Sequence, residues 1–255
     1  MSTVLIAGGT GALGKLIVER MRPSGHEIRV LSRRPGAGTH VGDLDTGAGV
    51  AEAAAGAELI VHAASDFRRA GRHDRKHTEN LLAAAGDAKH LLYVSIVGID
   101  RIPFSYYQNK LACERLIAGS GVPHTILRAT QFHELIAFAL RTVERWPIAP
   151  LPTDFRFQPV AAADVATRVA ELIDGPPLGH APDFGGPHVH TLAELTETWR
   201  ALRGRPTRTM RLPVPGRVAG AFRAGANTCP DHADGTQTWA EYVESEPAAA
   251  YRLRG

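Results

Sequence analysis

The chain has 255 residues, of which 44% are hydrophobic and 22% charged, the composition of an ordinary globular protein with a sizeable core. A formal net charge of only +3 argues against a nucleic-acid-binding protein, and two cysteines far apart in sequence form neither a disulfide framework nor a C-x-x-C metal knuckle. The opening apolar run is shorter than a signal peptide requires, and no apolar stretch is long enough to span a membrane. We therefore expect a cytoplasmic monomer or homodimer whose partner is a small molecule, not nucleic acid or a membrane.

The N-terminal segment reads as a strand, a tight turn and a helix. Thr3–Ala7 is almost wholly apolar, as in a strand buried on both faces of a parallel sheet, and from Ala12 the apolar residues follow helical spacing. The turn between them carries glycines at G-x-x-G-x-x-G spacing. Bare backbone N–H groups at a helix N-terminus suit a diphosphate, so the turn predicts a dinucleotide site. Its predicted cofactor contacts are Gly8, Thr10, Gly11, Ala12, Leu13 and Gly14.

The second apolar run, Ile28–Leu31, is predicted to be the parallel neighbour of the first strand. An acid at its end would bind the ribose 2′-OH of NAD, but the sequence there is Ser32-Arg33-Arg34. Two guanidinium groups suit a 2′-phosphate instead, so we predict NADP(H), with all three residues as contacts. The alternative is a pair of solvated arginines.

A short third strand is expected before Gly42-Asp43-Leu44, where Asp43 is predicted to accept a hydrogen bond from the adenine amino group and Leu44 to contact the cofactor. Asp43 is equally suited to cap an alanine-rich helix predicted over residues 46–56. Glu58–Ala64 predicts the fourth strand. Its small final residues would let a dinucleotide lie close above the strand end, so Ala63, Ala64 and Ser65 are also candidate contacts.

The most highly charged stretch of the chain, residues 68–77, follows this fourth strand. It would guide an anionic ligand or, as we favour, form a solvated face. His73 and His77 lie one helical turn apart and could share a metal, but the sequence shows no nearby third ligand, so no metal site is expected.

Catalytic residues are suggested around the fifth strand, predicted over His90–Ser95. Ser95 ends that strand, and the helix predicted from Pro103 to Ala118 carries Tyr106 and Lys110 one turn apart on one face. A tyrosine works in acid–base chemistry near neutral pH when a neighbouring cation stabilises its phenolate, and Lys110 is such a cation.

Together these residues resemble the short-chain dehydrogenase/reductase superfamily, and within it the atypical, NmrA-like NAD(P)-binding group. The resemblance covers residues 3 to about 165. It is carried by the glycine turn, the Gly42-Asp43-Leu44 turn, His62-Ala63-Ala64, residues 78–82, Ser95, residues 106–110 and residues 127–132.

The resemblance implies an α/β fold with a Rossmann-type doubly wound parallel sheet and an NADP(H)-dependent hydride exchange with a small carbonyl, quinone or related unsaturated compound. Tyr106 would transfer the substrate proton, Lys110 would hold the nicotinamide ribose and depress the tyrosine pKa, and Ser95 would bind the substrate oxygen. Thr130 lies in the loop that passes beside the nicotinamide in this group. The alternatives are a non-catalytic NADP(H) sensor, and an epimerase or dehydratase that uses a transient hydride.

The chain after residue 130 is expected to complete a single domain with a small C-terminal lobe that covers the substrate, built mainly from residues 131–156 and 185–255. Phe132, His133 and Trp146 are candidate substrate contacts. Thr191 and Glu194 form a capping-box match at the start of an amphipathic helix.

Overall fold

The computed structural model describes residues 1–143, 146, 148–204 and 208–245. The predicted lobe also includes residues 144–145, 147, 205–207 and 246–255, which lie outside the described part. Within that part no helix combines the length and apolar character needed to cross a membrane.

The described residues form eleven strands and nine α-helices. The strands are β1 Thr3–Ala7, β2 Glu27–Ser32, β3 Thr39–Val41, β4 Leu59–His62, β5 His90–Ile96, β6 His124–Ala129, β7 Ile148–Leu151, β8 Arg156–Phe157, β9 Gly179–His180, β10 His190–Thr191 and β11 Arg208–Arg211. The helices are α1 Ala12–Met21, α2 Val50–Ala54, α3 Asp74–Ala84, α4 Ser105–Ala118, α5 His133–Val143, α6 Ala162–Asp174, α7 Leu192–Arg203, α8 Arg217–Arg223 and α9 Trp239–Ser245.

The chain divides into two compact units. The first comprises residues 1–95, 104–128 and 165–182, and the second comprises residues 96–103, 129–164 and 183–255. The single domain with a substrate-covering lobe stays a prediction.

The first unit contains a seven-stranded parallel sheet in the order β3-β2-β1-β4-β5-β6-β9, which confirms the predicted Rossmann-type doubly wound α/β fold. Ile6 of β1 is in register with Val30 of β2 on one side and Val61 of β4 on the other. Val4, Leu5 and Ile6 are fully buried because helices cover both faces of the sheet. The chain runs outward from β1 to β3 and then returns to β4, so the strand order reverses between β1 and β4. In open α/β sheets ligands bind at such a point, beyond the carboxyl ends of the strands.

Most predicted elements of this unit are present, with shifted ends. The helix expected over residues 46–56 is limited to α2, because Gly47 and Gly49 both have positive φ values and the turn they form delays the first helical residue to Val50. Asp43 therefore does not cap this helix; the N-cap is Gly49, without a side-chain hydrogen bond. The alternative role given to Asp43 is wrong.

The second unit has its own core of aromatic and aliphatic side chains from α5, α7 and α9, including Trp199, Trp239 and Tyr242. The predicted capping box is confirmed at the start of α7: the Thr191 hydroxyl accepts from the Glu194 N–H, and the Glu194 carboxylate accepts from the Thr191 N–H.

The proline-rich stretch after α5 contains β7, which pairs in parallel with β11 as a separate two-stranded sheet. Pro150 is tolerated there because a strand with only one neighbour does not need every N–H group.

Candidate functional site

The glycine turn after β1 is built by close backbone packing. A Cβ on Gly8 would lie 2.5 Å from the Ala64 nitrogen, and a Cβ on Gly14 would lie 2.0 Å from the Gly8 carbonyl oxygen. Gly8 also has a φ of +88°, which favours glycine. These two glycines therefore let the first turn of α1, the end of β1 and the end of β4 approach one another.

The N-terminus of α1 is open to an anion. Its N-cap is Gly11, which makes no side-chain capping hydrogen bond, and its first turn has no acidic residue. The first N–H groups of a helix have no acceptor within the helix and carry a partial positive charge. Ala12 and Thr10 are exposed and Leu13 is half-buried. Bare N–H groups without a competing carboxylate fit the diphosphate of a dinucleotide.

The predicted adenine-side residues are held by a hydrogen-bonded turn. The Asp43 carboxylate accepts from the N–H of Asp45 at 2.9 Å, and the Leu44 carbonyl accepts from the Asn80 side chain at 2.7 Å. Asp43 is half-buried, and Leu44 is buried. One carboxylate oxygen of Asp43 thus stabilises its own turn.

The arginine pair lies where the sequence places it, at the carboxyl end of β2. Arg33 and Arg34 are both exposed, and the structure shows no ion pair for either within the described chain. The hydroxyl of Ser32 is used locally: it donates to the Arg34 carbonyl and accepts from the Arg34 N–H. This small turn fixes the backbone from which the two guanidinium groups extend.

The end of β4 carries the remaining predicted cofactor contacts. Ala63 and Ala64 are half-buried beside Gly8, while Ser65 is exposed. Ser65 donates to Asp74 Oδ2 at 2.6 Å, and its oxygen lies 3.0 Å from the hydroxyl of Tyr106. Because the serine proton goes to Asp74, the tyrosine is the donor in the second bond.

This hydrogen-bond chain changes the chemistry available to Tyr106. Burial raises the pKa of Tyr106 to about 12, and the Asp74 carboxylate adds to the rise, although the Ser65 hydrogen bond opposes it. The lowered pKa that was predicted for this tyrosine is not seen, because burial outweighs the opposing contributions. Tyr106 is a neutral phenol whose proton is directed to Ser65.

Lys110 is buried, and its Nζ donates to the Val94 carbonyl at 3.0 Å and lies 4.3 Å from the centre of the Tyr93 ring. Burial lowers the pKa of Lys110 below its usual value. The hydroxyl of Ser95, at the end of β5, is buried and has no hydrogen-bond partner among the described residues. The structure brings Tyr106 together with Ser65 and Asp74, and Lys110 with β5.

A buried histidine, His62, is linked to Asp74 through the hydroxyl of Thr78. His62 Nε2 lies 3.0 Å from the Thr78 hydroxyl, which itself donates to the Asp74 carbonyl, so Nε2 carries the proton and donates. Burial lowers the pKa of His62 to about 3, with the positive charge of Lys110 contributing.

The remaining candidates belong to the second unit. Thr130 is buried; its hydroxyl donates to the Gln158 carbonyl and its N–H to the Phe184 carbonyl. His133 is fully buried, stacks on Tyr242, and has its pKa lowered to about 4 by burial. Phe132 is half-buried and Trp146 is exposed. The structure thus places His133 within the core of this unit.

Asp74 is the residue that sequence reasoning missed. It is almost fully buried at the first turn of α3 and accepts from both Ser65 and the Asp66 N–H. In the sequence it is one of several charges between residues 68 and 77. Only its place at a helix start, opposite the loop after β4, sets it apart.

Several known proteins are similar to this chain in sequence. Residues 8–176 match a family described as NAD(P)H-binding. The chain is 27% identical over 226 residues to a (4-alkanoyl-5-oxo-2,5-dihydrofuran-3-yl)methyl phosphate reductase of Streptomyces griseus, covering 83% of this chain and 77% of that protein. It is 26% identical over 207 residues to quinone oxidoreductase 2 of Escherichia coli, covering 75% and 71%.

Similar folds occur among solved structures. The NADPH complex of an Escherichia coli NADPH-dependent quinone oxidoreductase has a TM-score of 0.80 at 19% identity, covering 94% of this chain and 98% of the other. A Staphylococcus aureus nucleoside-diphosphate-sugar epimerase has a TM-score of 0.78 at 18% identity, covering 95% and 100%. At these identities the likeness shows the fold alone.

Proposed function

This chain belongs to the NAD(P)H-binding family, and on that premise we propose that it is an NADP(H)-dependent oxidoreductase acting on a small carbonyl, quinone or related unsaturated compound. The observation that carries the proposal is the open N-terminus of α1 together with the exposed Arg33 and Arg34 at the end of β2, which form no ion pair with the described residues. The curated relatives named above, a reductase and a quinone oxidoreductase, support the reaction class.

The cofactor is held by backbone groups and arginines. The N–H groups of Ala12 and Leu13 bind the diphosphate, and Arg33 and Arg34 bind the ribose 2′-phosphate, whose oxygens match the planar guanidinium fork. With NADPH held by these groups, its nicotinamide would supply a hydride.

Among the possible acceptors, the site favours a quinone over an unactivated ketone. A ketone becomes a strongly basic alkoxide on reduction and needs a proton donor, whereas a quinone becomes a hydroquinone anion, a weaker base. Tyr106, with its raised pKa and its proton directed to Ser65, is a poor proton donor. The Ser95 hydroxyl, which is buried and has no hydrogen-bond partner among the described residues, is suited to donate to the acceptor oxygen.

A second candidate function is a non-catalytic NADP(H) sensor. It is favoured by the hydrogen bond that Tyr106 donates to Ser65, since a protein that only binds the cofactor needs no proton donor.

The test is oxidation of NADPH, followed at its absorbance band, with menadione and 1,4-benzoquinone against acetophenone and other simple ketones. We expect the quinones to be reduced at least about tenfold faster. The double variant Arg33→Ala/Arg34→Ala should raise KM for NADPH with little change in kcat. The matched control is Arg20→Ala/Arg22→Ala, which removes two exposed arginines around the end of α1. Tight NADPH binding without turnover of any acceptor would instead support the sensor.

A further inference from the structure

Three ligating side chains of the first unit meet beside α3. Asp45 Oδ1 lies 2.8 Å from His73 Nδ1 and 2.8 Å from His77 Nε2, and the three atoms lie within 4.8 Å of one another. The carboxylate comes from the loop after β3, about thirty residues from the histidines. The third ligand that the sequence did not reveal is therefore supplied by the fold.

Both sides of this cluster are fixed by the backbone. His73 is the N-cap of α3 and His77 lies one turn further along, so both rings leave the same side of the helix. The Asp45 N–H donates to Asp43, and Asn80 of α3 donates to the Leu44 carbonyl. Thus the loop that carries Asp45 is tied to the helix that carries the histidines.

We propose that Asp45, His73 and His77 bind a divalent transition-metal ion, with zinc as the preferred ion. Two imidazoles and one carboxylate are a donor set that zinc accepts, and two histidines one turn apart on a helix form a chelating pair. The site lies next to Asp43 and Leu44, the predicted cofactor contacts, so the ion would crosslink this loop to α3.

Zinc coordination requires the two Asp45 contacts to lengthen and the two histidine nitrogens, which lie within 4.8 Å of each other, to settle at a similar separation. A tetrahedral zinc ion with bonds of about 2.0–2.1 Å separates its ligand atoms by about 3.3 Å, so each 2.8 Å contact would open by about half an ångström. The side chains of Asp45 and His73 are 36% and 37% exposed, so water can reach the ion as its fourth ligand.

Two carboxylates, Asp45 and Asp66, lie at the cluster, while Arg72 and Lys76 are its basic neighbours in sequence. Asp66 Oδ2 lies 3.7 Å from His73 Nδ1 and adds a second carboxylate beside the site. The positive charge of Arg75, on the same helix, is paired with Glu79 at 2.9 Å. The Asp45 and Asp66 carboxylates lie by His73 at the start of α3, where they oppose the positive end of the helix dipole, which would otherwise disfavour a metal ion.

A purely hydrogen-bonded cluster is the competing explanation, and metal titration separates the two. The chelator-treated full chain is titrated with Co²⁺, whose visible absorption reports tetrahedral coordination, and with Zn²⁺ in competition with a chromophoric chelator. We expect one equivalent per chain.

The variants are His77→Ala and Asp45→Asn, the latter keeping the side-chain shape. Each should weaken zinc binding at least about 100-fold. The control His180→Ala removes an exposed histidine from β9 and should bind zinc like the wild type. Circular dichroism and a melting curve establish that each variant is folded. The proposal is overturned if the wild-type chain takes up less than one fifth of an equivalent, or if folded Asp45→Asn binds zinc as tightly as the wild type. Neither outcome bears on NADPH turnover.

Discussion

Two parts of the first unit, both at the carboxyl ends of its strands, are built in opposite ways. The turn between β1 and α1 is made of backbone, and a Cβ at Gly14 would lie 2.0 Å from another backbone atom. The region after β4 and β5 is made of side chains, with Tyr106 donating to Ser65 and Ser65 donating to Asp74. A site made by the absence of side chains is specified by local sequence. A site made of side-chain networks depends on residues brought together by the fold.

Gly14→Ala should have the largest effect, because the new methyl group meets the Gly8 carbonyl oxygen and the backbone must move. We expect a loss of about 2 kcal/mol or more of unfolding free energy and at least about a 100-fold loss in NADPH affinity. Urea unfolding and NADPH fluorescence titration measure the two effects. Gly220→Ala is the matched control, since a Cβ at Gly220 meets nothing within 4 Å. Unchanged NADPH affinity in Gly14→Ala would remove the basis for a backbone-made site.

The side-chain region should make the unfolding free energy of the chain depend on pH. His62 has a pKa lowered to about 3 in the folded chain, against about 6.5 when unfolded. The unfolded chain therefore binds more protons below pH 6.5, and stability that is fully present above that pH is lost as the pH falls toward 3. Between pH 7.5 and pH 5 this histidine accounts for about 2 kcal/mol of lost stability.

The variant His62→Gln keeps a donor for Thr78 but does not titrate, so its unfolding free energy should fall less over this pH range. Urea unfolding at both pH values measures the difference. The control is His188→Gln, at an exposed position, which should follow the wild type. An equal pH dependence in wild type and His62→Gln would show that the buried histidine is not held neutral.

Lys110→Met separates folding from function. Because burial lowers the pKa of Lys110, the folded chain disfavours its charge, and a methionine of similar shape removes that cost. We expect equal or higher stability, by about 1 kcal/mol, with about a tenfold loss in NADPH turnover, since this lysine is the proposed ribose contact. A melting curve and steady-state kinetics are compared. Full turnover in Lys110→Met would exclude the lysine from the site.

Tyr106→Phe should have the smallest effect. The phenol proton is directed to Ser65, so its loss should change kcat for a quinone by less than about threefold. A loss of a hundredfold or more in kcat would show that the tyrosine donates the substrate proton after all.

The same contrast explains how much the sequence could predict. The run Thr3–Ala7 and the glycines after it specify a strand, a turn and a helix within about twenty residues, and the structure confirms all three. Ser95, Tyr106 and Lys110 could be recognised in the sequence just as easily. The raised pKa of Tyr106, however, comes from burial and from Asp74, which is far from the tyrosine in the sequence and is one of many charged residues there. The contact of Asp45 with His73 and His77 could not be predicted from the sequence, because it forms only when the fold places the loop after β3 beside α3.

Calorimetry with NADPH and NADH tests most directly whether the end of β2 recognises a 2′-phosphate. For the wild type and for Arg20→Ala/Arg22→Ala we expect NADPH to bind at least about tenfold more tightly than NADH, which corresponds to about 1.4 kcal/mol. In Arg33→Ala/Arg34→Ala the two affinities should become similar, through loss of NADPH affinity alone. Tighter binding of NADH by the wild type, or a preference for NADPH that survives removal of both arginines, would contradict the account.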